Sequence, residues 1–111
     1  MIFTIDKQEH YTVVKINAEK LDSTISPGLK SELVVLNGEG AKNIILDLSS
    51  TRYCDSSGLS AILVANRLCK NVNGSLVLFG IQEAVNKLIA ISQLDSILTI
   101  TPTLEDAVKR I

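Results

Sequence analysis

The sequence predicts an α/β domain: a mixed sheet of four to five strands with about four helices packed mainly on one side. Three observations carry this. Short apolar runs after residue 40 alternate with longer segments of helical periodicity, the pattern of parallel strands joined by right-handed crossovers. Two further strand candidates at the N-terminus lie close enough to pair as a hairpin. The chain has 111 residues, 46% of them apolar, which suits one modest core and a single domain over residues 1–111.

In chain order, residues 2–7 and 11–17 are the first two strand candidates. In the second, Val14 and Ile16 alternate with Lys15 and Asn17, the period-two pattern of a half-buried strand. Lys7 to His10 supplies the polar connection, and His10, the single histidine, reads as a solvated turn residue with no visible catalytic partner. Ser26-Pro27 opens a first helix, because proline is tolerated where the first-turn N–H has no partner. Leu29, Leu33 and Leu36 repeat along it, and Asn37-Gly38 is expected to end it. Ile44–Leu48 is apolar without alternation and should be a central strand covered on both faces.

A second helix runs from about Ser56 to Val72. Residues 61–65 are apolar almost all round, so that half is either sunk in the core or keeps a stripe for a partner. Arg67 and Lys70 suit its C-terminal half electrostatically, and Asn73-Gly74 closes it. Residues 75–79 form another strand and Gly80 a turn. Gln82 to about Ile91 is a third helix, with Val85, Leu88 and Ile89 on one side. Ile97–Ile100 is a short last strand. Thr103 and Asp106 are a capping pair for a terminal helix.

Between the central strand and the second helix stands Asp47-Leu48-Ser49-Ser50-Thr51-Arg52-Tyr53-Cys54-Asp55-Ser56-Ser57-Gly58-Leu59. Asp and Ser before a periodic apolar segment are N-cap residues, since their oxygens accept the free N–H groups of a first turn. The helix dipole there favours negative charge. Two serine hydroxyls therefore sit where a strand feeds a helix start.

Several function classes are excluded or disfavoured. The formal net charge of −1 leaves no basic footprint for nucleic acid, and the sparse aromatics argue against base stacking. No apolar run is long enough to span a bilayer, so direct membrane insertion is not expected. The first residues lack the basic start and long apolar centre of a signal peptide, which leads us to expect a cytoplasmic protein. Cys54 and Cys69 form no Cys-x-x-Cys and read as reduced, small apolar side chains. With one histidine they complete no common zinc site, so neither metal nor cofactor is expected. The Gly-x-Ser-x-Gly elbow and the phosphate-binding Gly-x-x-x-x-Gly-Lys loop are both absent, and catalysis by this chain is not expected.

The strand, Asp-Leu-Ser, short turn and Asp55-Ser56-Ser57-Gly58-Leu59 resemble the signature of STAS domains, specifically the small bacterial anti-sigma factor antagonists. The resemblance extends more weakly over nearly the whole chain and implies the STAS fold. In that family the first serine after the Asp is phosphorylated by a partner that is both kinase and anti-sigma factor, with a histidine-kinase-like ATPase fold. The matching residue is Ser56. Upstream, Leu21 and Asp22 match the family's Gly-Glu-Leu-Asp, whereas Glu19 stands for its Gly and Lys20 for its Glu. A glycine permits a left-handed backbone that Glu resists, so the turn there is expected to differ.

The resemblance makes Asp22, Asp55, Ser56, Ser57, Gly58, Leu59 and Ile62 candidate partner-binding residues, Asp22 being equally readable as a polar cap. Ser57 is expected to serve as a helix-cap or second-turn hydroxyl, with the alternative that it is the acceptor. The implied partners are the anti-sigma factor kinase and a phosphoserine phosphatase, the chain itself being a monomer or weak dimer. A second implication stays open: a STAS adaptor subunit of a lipid-transport ATPase complex, docking through the same helix without phosphorylation.

Overall fold

The computed structural model describes residues 2–111. Seven strands and four helices follow in the order β1 (Phe3–Lys7), β2 (Thr12–Ile16), β3 (Lys20–Leu21), α1 (Ser26–Gly38), β4 (Ile44–Asp47), β5 (Tyr53–Cys54), α2 (Ser56–Asn71), β6 (Leu76–Phe79), α3 (Glu83–Ile91), β7 (Thr99–Thr101) and α4 (Leu104–Lys109). The main sheet has the order β1-β2-β4-β6-β7. β1 is antiparallel to β2, and every other pair in that sheet is parallel.

Side-chain alternation divides the core into two layers. Val14, Ile16, Ile44, Leu46, Leu76 and Leu78 face one side, where they meet Leu29, Leu33 and Leu36 of α1, Ile62 and Ala65 of α2, and Val85 and Ile89 of α3. Val13, Ile45 and Val77 face the other side and meet Ala107 of α4. The helices thus lie three on one face and one on the other. β4 is fully buried from Ile44 to Leu46, as its unbroken apolar run requires of a strand covered on both faces.

Three details depart from the sequence expectation. α1 ends at Gly38 as expected, but the left-handed residue lies two positions further on, at Gly40, φ +95°. Asn37 stays helical and donates through Nδ2 to the Leu68 carbonyl of α2. The last strand begins at Thr99 instead of Ile97, because a 3-10 turn over Leu94–Ser96 carries the chain off α3. A separate two-strand ladder, β3 with β5, had no counterpart in the sequence reading. The expected capping pair is formed: the Asp106 N–H donates to Thr103 Oγ1 at 3.2 Å.

Candidate functional site

The site lies where the β3–β5 ladder meets the start of α2. Lys20 pairs with Tyr53 and Leu21 with Cys54, in parallel. The N–H groups of Arg52 and Tyr53 both donate to the Glu19 carbonyl, and that of Asp55 to the Leu21 carbonyl. Thr51, fully buried, donates its hydroxyl to the Ala18 carbonyl at 2.9 Å. Two loops distant in sequence are thereby stitched side by side, which brings Asp22 next to Asp55. Glu19 is not among the left-handed non-glycine residues, Asn73 and Gln93, so its replacing a glycine introduces no backbone strain.

Asp55 is the N-cap of α2, with extended backbone, and its Oδ1 accepts the Gly58 N–H at 3.0 Å. The same oxygen accepts the Ser57 hydroxyl at 2.5 Å. These bonds, Ser57 first, hold the Asp55 carboxyl below its ordinary value of 3.8 by stabilising the ionised form. Asp22 is likewise held below 3.8, first by the Thr24 hydroxyl and then by the Thr24 N–H. Two ionised carboxylates therefore flank the helix start.

Ser56 is the first residue of α2 and is exposed. Among the described residues, no hydrogen bond engages its hydroxyl. Ser57 is different. It is half-buried, and it is not the cap; it donates to the cap instead. Of the two roles expected for Ser57, helix-cap or second-turn hydroxyl, the N-cap itself belongs to Asp55.

Gly58 is buried, and the reason for glycine is a close approach: a Cβ there would lie 2.5 Å from both the Leu21 carbonyl oxygen and Cys54 Sγ. Leu59 and Ile62, expected at a partner surface, are 6% and 0% exposed and belong to the core. The apolar half of α2 is sunk against the sheet, so these two side chains cannot reach a docking protein, and both assignments are corrected. Gly58 likewise offers no side chain or open surface to a partner. On the outward side of α2, Ser60 and Arg67 are exposed and Leu63 and Val64 half-buried.

The residue missed in the sequence is Tyr53, 48% exposed on β5. It walls a notch of about 140 Å3 together with Lys20, Leu21, Asp22, Cys54 and Asp55. Its other side borders a hollow of about 320 Å3 shared with Arg52, Gln82, Glu83, Ala84 and Lys87. The available signal was a tyrosine within the polar turn leading to Asp55, in a chain with few aromatics. Burial pushes the Cys54 thiol up to about 11, Asp55 adding to the effect, and burial alone raises Cys69 to about 11. Neither is disulfide-bonded, and neither has thiolate character at neutral pH. His10 is exposed in the β1–β2 connection, away from the site. Among the described residues no group of His, Cys, Asp and Glu could hold a metal ion, and no helix is long and apolar enough to cross a membrane.

A three-helix layer on a mixed sheet, with an Asp-capped helix presenting an exposed serine at its start, defines a class of small α/β domain with a recognisable sequence pattern. The STAS domain family matches residues 3–107, and the chain belongs to that family. It is 28% identical over 110 residues to an anti-sigma-B factor antagonist of Bacillus subtilis, covering 98% of this chain and all of that one (100%). The fold matches that of an anti-sigma factor antagonist from Mycobacterium paratuberculosis, with a TM-score of 0.87 at 19% identity over 98% of this chain and 92% of the other. It also matches the phosphorylated form of the Bacillus cell fate determinant SpoIIAA, with a TM-score of 0.75 at 21% identity over 97% of each chain.

Proposed function

We propose that the chain is an anti-sigma factor antagonist whose switch is Ser56. Unphosphorylated, it binds an anti-sigma factor serine kinase of the histidine-kinase-like ATPase type, and a sigma factor is released. The kinase then transfers the γ-phosphoryl of ATP to Ser56. The Oγ–P bond forms as the bond to the β-phosphate breaks, ADP leaves, and a base on the kinase takes the hydroxyl proton. Phosphorylated, the chain lets go, and a phosphoserine phosphatase resets it.

The observation that carries this reading is an exposed Ser56 hydroxyl, without a hydrogen bond among the described residues, on a turn fixed by the Asp55 cap and the β3–β5 ladder. The neighbouring Asp55 carboxylate already accepts two hydrogen bonds through Oδ1. The Bacillus subtilis relative supports the class of partner. A phosphate adds about −1.5 to −2 in charge at neutral pH. On Ser56 the helix N-terminus favours that charge and the Asp55 and Asp22 carboxylates oppose it. The fold tolerates the group, but an interface closed over it must desolvate a dianion beside two carboxylates, and binding is lost. The docking surface comprises Asp22, Asp55, Ser56 and the half-exposed Tyr53, the last supplying the apolar contact that the buried Leu59 and Ile62 do not.

The test is incubation with the anti-sigma kinase and labelled ATP, followed by phosphopeptide mass spectrometry and calorimetric binding. Label is expected on Ser56, with Ser56→Ala binding constitutively and Ser56→Asp weakened at least about tenfold. Equal affinities of the two variants would sink the switch. Co-purification with a transporter ATPase, with no label from any kinase, would establish the adaptor reading instead.

A further inference from the structure

The second serine of the turn is tied into a chain of hydroxyls that leaves it nothing to offer. Ser57 Oγ lies 2.5 Å from Asp55 Oδ1. An ionised carboxylate only accepts, so Ser57 must be the donor there, and its one proton is committed. Ser57 Oγ also lies 3.3 Å from Ser26 Oγ. With the Ser57 proton spent, that contact can draw only on the Ser26 proton, whose main acceptor is the Asp22 carbonyl at 2.7 Å, so it is a weak side branch of the Ser26 bond. Ser26 is only 1% exposed at the start of α1, and no buried polar side-chain atom is left unpartnered among the described residues.

The contacts therefore run from Asp22 through Ser26 and Ser57 to Asp55, and they join three segments. The Asp22 carbonyl accepts from Ser26 Oγ and from the N–H groups of Ile25 and Ser26, so the loop before α1 is fixed to α1. Ser57 fixes α1 to the cap of α2. Asp55 Oδ1, occupied by the Ser57 hydroxyl and the Gly58 N–H, holds the turn from which Ser56 projects.

We infer that Ser57, backed by Ser26, is a positioning residue: it locks the Asp55 cap and ties the Asp22 loop to the Ser56 turn, so that of the two adjacent serines Ser56 alone is presented for phosphoryl transfer. This rests on the reading of Ser56 as phosphoacceptor. It adds that the adjacent hydroxyl acts through Asp55, without touching the donor. A shift of an acceptor by an ångström costs far more in turnover than in binding, so the effect belongs in kcat more than in KM.

The test uses the full chain with Ser57→Ala, Ser57→Thr and Ser26→Ala. Side-chain carbonyl NMR follows the Asp55 titration, and phosphorylation by the anti-sigma kinase is followed at initial rates. In Ser57→Ala the Asp55 midpoint should move up toward its ordinary 3.8. In the same variant kcat for Ser56 should fall about tenfold, with KM held within about twofold. Ser57→Thr keeps the hydroxyl and should restore both readouts, which a loss of general stability would not predict. Ser26→Ala should move both in the same direction by less, and it serves if Ser57→Ala does not fold. An unchanged Asp55 titration in Ser57→Ala, phosphate found on Ser57 of the unaltered chain, or failure of threonine to restore would each overturn the inference. If the unaltered chain takes no label at all, the reading of Ser56 as acceptor fails, while the titration series still decides the hydroxyl link.

Discussion

Ser56 and Ser57 are chemically identical and adjacent, yet the fold gives them opposite circumstances. One hydroxyl is in solvent, and the other is bound to a carboxylate and half-buried. That split was only partly legible in the chain. A cap before an apolar run is a local pattern, so the Asp55 region announces a helix start by itself. The serine that turns inward meets Ser26, thirty-one positions away, and no local pattern carries that contact. The carboxylates here also make a pH prediction. Asp22 and Asp55 are both held below 3.8 in the folded chain. The unfolded chain takes up their protons first, so the stability they contribute is complete above that value and is lost as pH falls through the lower folded values. The melting temperature should be flat with respect to these groups near neutrality and decline below about pH 4. Asp55→Asn should flatten part of that decline, and an identical acid profile in the variant would refute the assignment.

At the scale of elements, α2 shows what periodicity can and cannot reveal. Its apolar half has no single stripe, so the inward side cannot be chosen from the sequence. Leu59 and Ile62 are outward candidates until the sheet is in place, and then they are core. The two-residue strands β3 and β5 are too short for any alternation to register, and their pairing is long-range. Both blind spots meet at Gly58, the point where α2 touches the β3–β5 ladder. Gly58→Ala would drive a methyl group into the Leu21 carbonyl and Cys54 Sγ. We expect a loss of about 1–3 kcal/mol by chemical denaturation, with a lower affinity for the kinase because the ladder must shift. Wild-type stability in that variant would show that the approach relaxes freely. Tyr53, on the same ladder, carries exposed area and no core role. Tyr53→Ala should leave the melting temperature within about 1 °C yet weaken kinase binding about tenfold or more, the behaviour of an interface anchor. Unchanged affinity would remove it from the docking surface.

For the whole molecule, β4 is the member on which both layers close. Leu46 contributes to the three-helix layer and Ile45 to the α4 layer. The broad architecture was readable because each parallel strand is a short apolar run bounded by turn residues, and each crossover has its own helical repeat. The single helix on the far face is not distinguishable by pattern from those on the near face, since a helix's apolar positions do not say which side of the sheet it covers. Leu46→Ala should cost about 2–5 kcal/mol, the usual penalty for a cavity at a fully buried leucine. Removing the Thr103 cap of α4 by Thr103→Ala should cost only about 1 kcal/mol. Urea titrations of both would check the order, and comparable losses would mean that the α4 layer matters more than its small area suggests.

The ladder that seats Leu21 beside Cys54 has a consequence for biosynthesis. Its first half leaves the ribosome early, but it has no hydrogen-bonding partner until the chain has been extended through Cys54, and Asp55 cannot cap a helix that has yet to be translated. A nascent polypeptide consequently lacks the juxtaposition of Asp22, Tyr53 and Asp55 that the folded chain shows, even though every residue type in it is present. A kinase that reads this surface would pass over incomplete copies, and regulation would act only on molecules that have finished folding.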